Sequence, residues 1–168
     1  MIRRLIDKLS PTLYVQIWEN RIRVVDIETN GVFDEQPHLQ VESSKNGAKI
    51  VTAFGNKAYV NPLNPFSHPR ALLNDFFVAE RLLKEIINQL AGKKLLSPAP
   101  IIIIHPMEKT EGGLTMIEIR AFREMAIGAG ARDVVIHQGQ ESLINTEINF
   151  KELAKQEQRL ALTLLSMH

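Results

Sequence analysis

Apolar and polar positions alternate along residues 13–18 and again along 21–27, with Glu19 and Asn20 between them. Period-two alternation around a two-residue polar break predicts two antiparallel strands joined by a tight turn. A third strand is expected over 38–42 and a further extended piece over 49–54, with the polar cluster 43–47 as a turn between them. Residues 61–69 hold Pro62, Pro65 and Pro69, so a loop without regular hydrogen bonding is expected there. The period then changes. Phe76, Ala79, Leu83, Ile86, Ile87 and Leu90 recur at helical spacing, and Gly92 is a natural stop. Glu80 and Lys84 are spaced for a pair on the outer side of that helix. Pro98 and Pro100 lead into four consecutive isoleucines at 101–104, which suit a central parallel strand buried on both faces and closed by Pro106.

The next helix is expected to start at Thr115, which has capping-box spacing with Glu118. Ile119, Phe122 and Ala126 share its apolar face, and Arg120, Arg123 and Glu124 face water. Gly128 and Gly130 end it, and the β-branched run 134–136 is short enough for an inner strand. A last helix is expected over 150–166, with Leu153, Leu160, Ala161 and Leu164 inward. The order is three strands, helix, strand, helix, strand, helix. This predicts an α/β domain with one mixed sheet, three antiparallel strands then two parallel ones, and helices on both faces. It is the order of a ribonuclease-H-like or actin-like single domain, here over residues 11–168. The fold alone licenses no function.

Composition changes this picture mainly by exclusion. At 168 residues, 45% apolar and 23% charged, the chain is long enough for a real core. A formal charge of +1 argues against a nucleic-acid footprint, so no nucleic-acid partner is expected. With no cysteine, disulfides, thiolate zinc sites and Cys nucleophiles are excluded. No apolar run approaches the ~20 residues that span a bilayer. Residues 1–10 are amphipathic: Ile2, Leu5, Ile6 and Leu9 share one face, and Arg3, Arg4 and Lys8 line the other. Residues 1–9 are therefore a candidate for peripheral membrane contact, weighed against a helix packed on its own domain.

Several segments resemble one family. Ala121-Phe122-Arg123-Glu124, running into Gly128-Ala129-Gly130-Ala131-Arg132, resembles the helix–Gly-Ala-Gly-Ala-Arg–strand segment of the bacterial actin-like MreB proteins, which set rod shape. Asn74-Asp75-Phe76-Phe77-Val78-Ala79-Glu80 is similar to the family's Ala-Asp-Phe-x-x-Thr-Glu helix start. Phe54-Gly55-Asn56-Lys57-Ala58 resembles its strand–Gly–helix step, and Leu39-Gln40-Val41 sits where it has its third strand. The resemblance covers residues 1–138. It implies an actin-like half-domain, bacterial, cytoplasmic or peripheral at the inner face of the cell membrane, and able to associate with itself or a protein partner. It also implies a nucleotide, and here the chain departs from the family. Where actin-like ATPases end the first strand in Asp-x-Gly-Thr, this chain has Gln16-Ile17-Trp18-Glu19. Gln16 brings no charge to a metal, Trp18 stands where a glycine lets phosphate approach, and Glu19 repels an anion. After the last strand the chain reads His137-Gln138-Gly139-Gln140-Glu141, so only Gln138 offers a match to the family's water-orienting residue. The second phosphate loop and second lobe have no counterpart within the 168 residues. The reading is a non-catalytic module with no catalytic, cofactor-binding or metal residues and no cofactor. The alternatives are an ATPase completed by a second chain and a metal-dependent nuclease.

Other constellations compete with blander readings. His105 and His137 fall past the ends of neighbouring parallel strands, where ligands bind in open α/β sheets, and Glu108 or Glu141 would complete a metal site. Two scattered histidines are more simply loop residues. Residues 111–115 open a helix and suggest anion binding, but a flexible lead-in capped by Thr115 explains them better. Nuclease chemistry needs converging carboxylates. Asp26, Asp75 and Asp133 are read as edge, cap and turn residues instead. Tyr14, Trp18 and Phe33 are read as core or sheet-edge packing rather than an exposed patch.

Overall fold

The computed structural model describes residues 10–92, 97–143 and 148–166. The amphipathic stretch 1–9 and the side chain of Leu164 lie outside what is described. Five strands form one sheet in the order β3-β2-β1-β6-β7. β1 (Thr12–Trp18) and β2 (Arg21–Asp26) form the expected hairpin, with Trp18 opposite Arg21 and Leu13 opposite Asp26. β3 (Val32–Glu35) pairs antiparallel with β2. On the other side of β1, β6 (Ile101–Pro106) runs parallel to it, and β7 (Asp133–Ile136) runs parallel to β6.

Alternation along the strands builds two layers. Leu13, Val15, Ile17, Ile102, Ile104, Val134 and Ile136 face α1 (Phe76–Ala91) and α2 (Met116–Gly128) in the larger core. Tyr14, Ile103 and Val135 face the other way and meet Leu153 of α3 (Phe150–Ser166) in a smaller cluster. The four-isoleucine run is buried on both faces for this reason. Each such side chain removed from water contributes about 1.5–3 kcal/mol. The mixed sheet with helices on both faces is the expected one.

The third strand is a correction. Residues 38–42 do not extend the main sheet. They fall in β4 (Leu39–Ser43), which pairs with β5 (Lys49–Phe54) in a separate two-stranded sheet. Val32–Glu35 takes the third place instead, held by the buried ring of Phe33. Pro37 lacks the N–H that would continue a ladder, and beyond it Leu39 bonds in both directions to Leu63 of the proline loop, at 2.9 Å each.

The helix ends follow their caps. The Asp75 carboxylate accepts from Val78 N at 3.1 Å, and Thr115 forms the expected capping box with Glu118. The exposed pair on α1 is Arg81–Glu85 at 3.0 Å rather than Glu80 with Lys84. Glu80 instead lies over Gly128 of α2, so close that a Cβ there would collide with its carboxylate. Leu160 is a further correction: it is 46% exposed, not inward. A helix of 17 residues spans about 25 Å, while the four residues of β7 span about 13 Å, so its far end runs past the strand it packs on.

Candidate functional site

The parallel strands β1, β6 and β7 end together, and the residues just beyond them form the rim where open α/β sheets hold ligands. Gln16 sits one residue pair inside that rim on β1, opposite His105 of β6 and Arg23 of β2. It is buried, and every polar atom of its amide is engaged. Its nitrogen donates to Ser142 Oγ at 3.2 Å and approaches Met107 Sδ at 3.7 Å, while its oxygen accepts from Arg23 at 3.3 Å. Next outward, Trp18 carries the Arg21 guanidinium 4.8 Å from its ring centroid. Arg21 also makes two bonds of 2.7 Å to Asp34, and that guanidinium holds the Asp34 carboxyl below its usual range.

The turn after β1 is occupied by the chain's own side chains. The backbone N–H of Glu19 donates to the Glu108 carboxylate at 2.6 Å. The Glu19 carboxylate pairs with Lys109 Nζ at 2.9 Å. The Glu19 carbonyl accepts from Asn64 of the proline loop at 2.9 Å, and Lys109 reaches the His68 carbonyl of the same loop. Lys109 itself has a left-handed backbone, φ 56°, which turns the chain after β6 back toward the hairpin. An anion set on this turn meets two carboxylates and finds the local amide already taken.

The two histidines do meet, with ring centroids 4.6 Å apart and edge to face. Parallel pairing of Ile104 with Ile136 brings the residues that follow them side by side. His105 is fully buried. Its Nε2 is 2.8 Å from the Gly139 carbonyl, which only accepts, so Nε2 carries the proton and Nδ1 accepts from the Tyr14 hydroxyl at 2.6 Å. Tyr14 in turn accepts from Leu143 N at 3.1 Å. Burial lowers the pKa of His105. His137 is lowered to about 4, by burial first and the neighbouring His105 second. Both rings are thus held neutral, and the one in the centre has no nitrogen left for a metal. Among the described residues, no three of His, Cys, Asp and Glu gather to hold one.

The remaining candidates disperse. Gln138 accepts from Leu114 N at 2.8 Å, which ties down the lead-in to α2. Thr115 N and Glu118 N are taken by the capping box, so two donors of that helix start are spent internally. Asp26 closes its own turn on Glu28 N and Thr29 N, Asp75 caps α1, and Asp133 accepts from Val134 N. Asp26 and Asp133 lie at the sheet end opposite the rim, on β2 and β7 with β1 and β6 between, about 14 Å apart at ordinary strand spacing. They do not converge on a metal pair. Tyr14 and Phe33 are buried, as core packing requires. A cleft of about 620 Å³ also lies at that far end, between Pro11, Asp26, Lys84, Asn88, Pro100 and Gly130. Sequence reasoning offered Glu108 only as a metal ligand, where the structure bonds it to Glu19 N, and missed Lys109 and Asn64 as rim residues. Their signal was positional only, just past a strand end or inside a proline loop.

No family model matches the chain. It is 37% identical over 115 residues to the cell shape-determining protein MreB of Haemophilus influenzae, a match spanning 62% of this chain and 31% of that protein. The likeness to MreB of Pasteurella multocida has the same extent, so the chain spans about a third of these relatives. It is also 29% identical over 122 residues to the uncharacterized protein YjaA of Escherichia coli, covering 70% of this chain and 75% of YjaA. Among solved structures, MreB5 of Spiroplasma citri bound to ADP superposes with a TM-score of 0.56 at 19% identity, over 77% of this chain and 38% of that one. A non-polymerising A278D mutant of MamK bound to AMPPNP gives 0.59 at 12% identity, over 77% and 41%. The chain is actin-like in fold and MreB-like in sequence. No helix among the described residues is long and apolar enough to cross a membrane.

Proposed function

We propose that this domain is a non-catalytic, MreB-like binding module of bacterial cell-shape or cytoskeletal organisation, which holds no nucleotide of its own. The observation that carries the reading is the turn after β1. There the Glu19 amide is bonded to Glu108 and the Glu19 carboxylate to Lys109, beside a half-buried Trp18. A phosphate needs open backbone donors and positive surroundings. At this turn the Glu19 amide is already bonded, and the carboxylates of Glu19 and Glu108 stand beside it. Two solved structures of the same fold are bound to ADP and to AMPPNP, so the scaffold itself is compatible with a nucleotide and the reading rests on the site. The module works by engaging a protein partner or a second copy on the cytoplasmic side, with residues 1–9 touching the inner membrane surface.

Phosphate release from Mg-ATP, measured over a wide range of protein concentration, tests the catalytic half of this proposal. The expected rate stays at background throughout. A rate rising steeply with concentration contradicts it, because two copies would then be completing one nucleotide site. Flotation with anionic liposomes tests the membrane half. The full chain is expected to float and a variant lacking residues 1–10 to stay behind; a full chain that never floats removes membrane contact from the proposal.

A further inference from the structure

Asn-Gly occurs twice in the chain, as Asn30-Gly31 between β2 and β3 and as Asn46-Gly47 between β4 and β5. In this dipeptide the backbone nitrogen of the second residue reaches the asparagine side-chain carbonyl unhindered, because glycine has no Cβ to bar the approach. The two turns place that pair in opposite surroundings. At the β4–β5 turn, the Asn46 side-chain oxygen accepts from Ala48 N at 3.3 Å and from the Ser44 hydroxyl. Lys45 and Lys49 flank it, and residues 45–49 are exposed. A Cβ on Gly47, at φ 80°, would touch nothing, so water has open access. Gly47 N donates to Ser44 O at 2.9 Å, a bond at an exposed tip, where local opening costs little. At the β2–β3 turn, Asp26 ties both ends of the pair: Asn30 N donates to Asp26 O at 2.8 Å, and Asp26 N donates to Gly31 O at 2.9 Å. The Asp26 carboxylate accepts from Glu28 N at 3.0 Å and the Glu28 carboxylate from Thr12 N at 2.8 Å, so two negative charges stand at this turn. Gly31 is also packed, and a Cβ there would lie 3.3 Å from Thr29 Oγ1 and 3.6 Å from Leu90 of α1.

We propose that Asn46 is a self-modifying site, converted to aspartate and isoaspartate through attack by the Gly47 nitrogen, and that Asn30 is spared. Gly47 N gives its proton to water or hydroxide and bonds to Asn46 Cγ. Negative charge develops on Asn46 Oδ1, the atom to which the Ser44 hydroxyl and Ala48 N–H already donate, with two lysines alongside. The Cγ–Nδ2 bond then breaks, and Nδ2 leaves as ammonia with a proton from water. A five-membered imide joins residues 46 and 47. Water adds to one of its two carbonyls and breaks that C–N bond. Opening at the side-chain carbonyl gives aspartate, and opening at the main-chain carbonyl gives isoaspartate. Nothing is oxidised or reduced, and water is the co-reactant. At the β2–β3 turn the same charge would build beside two carboxylates, which oppose it. Isoaspartate puts an extra carbon into the main chain. The closure from Ser44 N to Ala48 O at 2.8 Å and the pairing of Ser43 with Lys49 cannot span it unchanged, so the reaction loosens the tip of the β4–β5 ribbon. This site is independent of the binding role proposed above.

Incubation of the full chain, folded and in urea, followed by trypsin and mass spectrometry, tests this. Trypsin cuts after Arg23, Lys45 and Lys49, so Asn30 is read in fragment 24–45 and Asn46 in fragment 46–49. In the folded chain, Asn46 is expected to gain acid mass about tenfold faster than Asn30, a smaller factor than one such donor supplies in a closed enzyme site. In urea the two rates are expected to converge, because the surroundings that separate them are gone. Ser44→Ala removes one donor to Oδ1 while keeping the backbone closure, and is expected to slow Asn46 severalfold without changing Asn30. If Ser44→Ala does not fold, the wild-type comparison of the two sites, folded and in urea, decides alone. Equal rates at the two sites in the folded chain, a faster Asn30, or a folded Ser44→Ala that converts Asn46 at the wild-type rate overturns the proposal.

Discussion

Tyr14, Gln16 and His105 are polar side chains buried on one face of two neighbouring strands, and each has its hydrogen-bonding groups engaged. An unpaired group at any of these positions would cost about 1–3 kcal/mol. Their partners, Ser142, Gly139 and Leu143, all belong to the segment between β7 and α3, so these bonds fasten that segment over the rim. They also make stability depend on pH. An unfolded histidine titrates near ~6.5. Folded His137 stays neutral down to about 4, and His105 is depressed by burial as well. Between those values the unfolded chain binds more protons than the folded one, so stability falls as the pH falls. The loss is up to about 1.4 kcal/mol per pH unit for His137, and above about pH 6.5 the contribution is flat. Urea midpoints are expected to drop between about pH 7 and pH 5, and less so for His137→Gln; equal slopes for the two proteins contradict this. The sequence placed both histidines at the rim, because strand ends are legible from an isoleucine run and a β-branched run. It left their chemistry unread, because Tyr14 lies 91 positions from His105 and nothing local marks the pair.

Elements with strong periodicity and caps were legible. α1 and α2 announce themselves through spacing, Asp75 and the Thr115–Glu118 box, and the β1–β2 hairpin through alternation around Glu19-Asn20. β3 was not legible, because four residues with one dominant buried ring, Phe33, carry too little alternation to register. β4 and β5 were legible as extended pieces, but their departure from the main sheet depends on the bridge from Leu39 to Leu63, which no local pattern encodes. The inward face of α3 was over-read at Leu160, since helical spacing cannot tell where the supporting strand ends. Among the described residues, Leu153 is the buried leucine anchoring α3 to Tyr14, Ile103 and Val135. Leu153→Ala is expected to cost about 2–3 kcal/mol and to raise hydrogen exchange over 150–166 while α1 stays protected. Equal loss of protection in α1 and α3 would mean that the smaller core is not a separable unit.

At the scale of the whole molecule, the fold is actin-like, and the chain is 37% identical over 115 residues to MreB of Haemophilus influenzae. The first departure lies at the turn beyond β1, where the Glu19 amide is bonded to Glu108, the Glu19 carboxylate is paired with Lys109 and Trp18 carries Arg21 over its ring. Under the proposed function, scaffold and site have parted: the packing residues serve the fold in any descendant, while phosphate-cradling residues are retained only where a nucleotide is bound. Isothermal titration of the full chain with Mg-ATP, followed in parallel by Trp18 fluorescence, tests this most directly. The account predicts no binding heat and an unchanged indole signal at millimolar nucleotide; saturable micromolar binding that quenches or shifts Trp18 would contradict it.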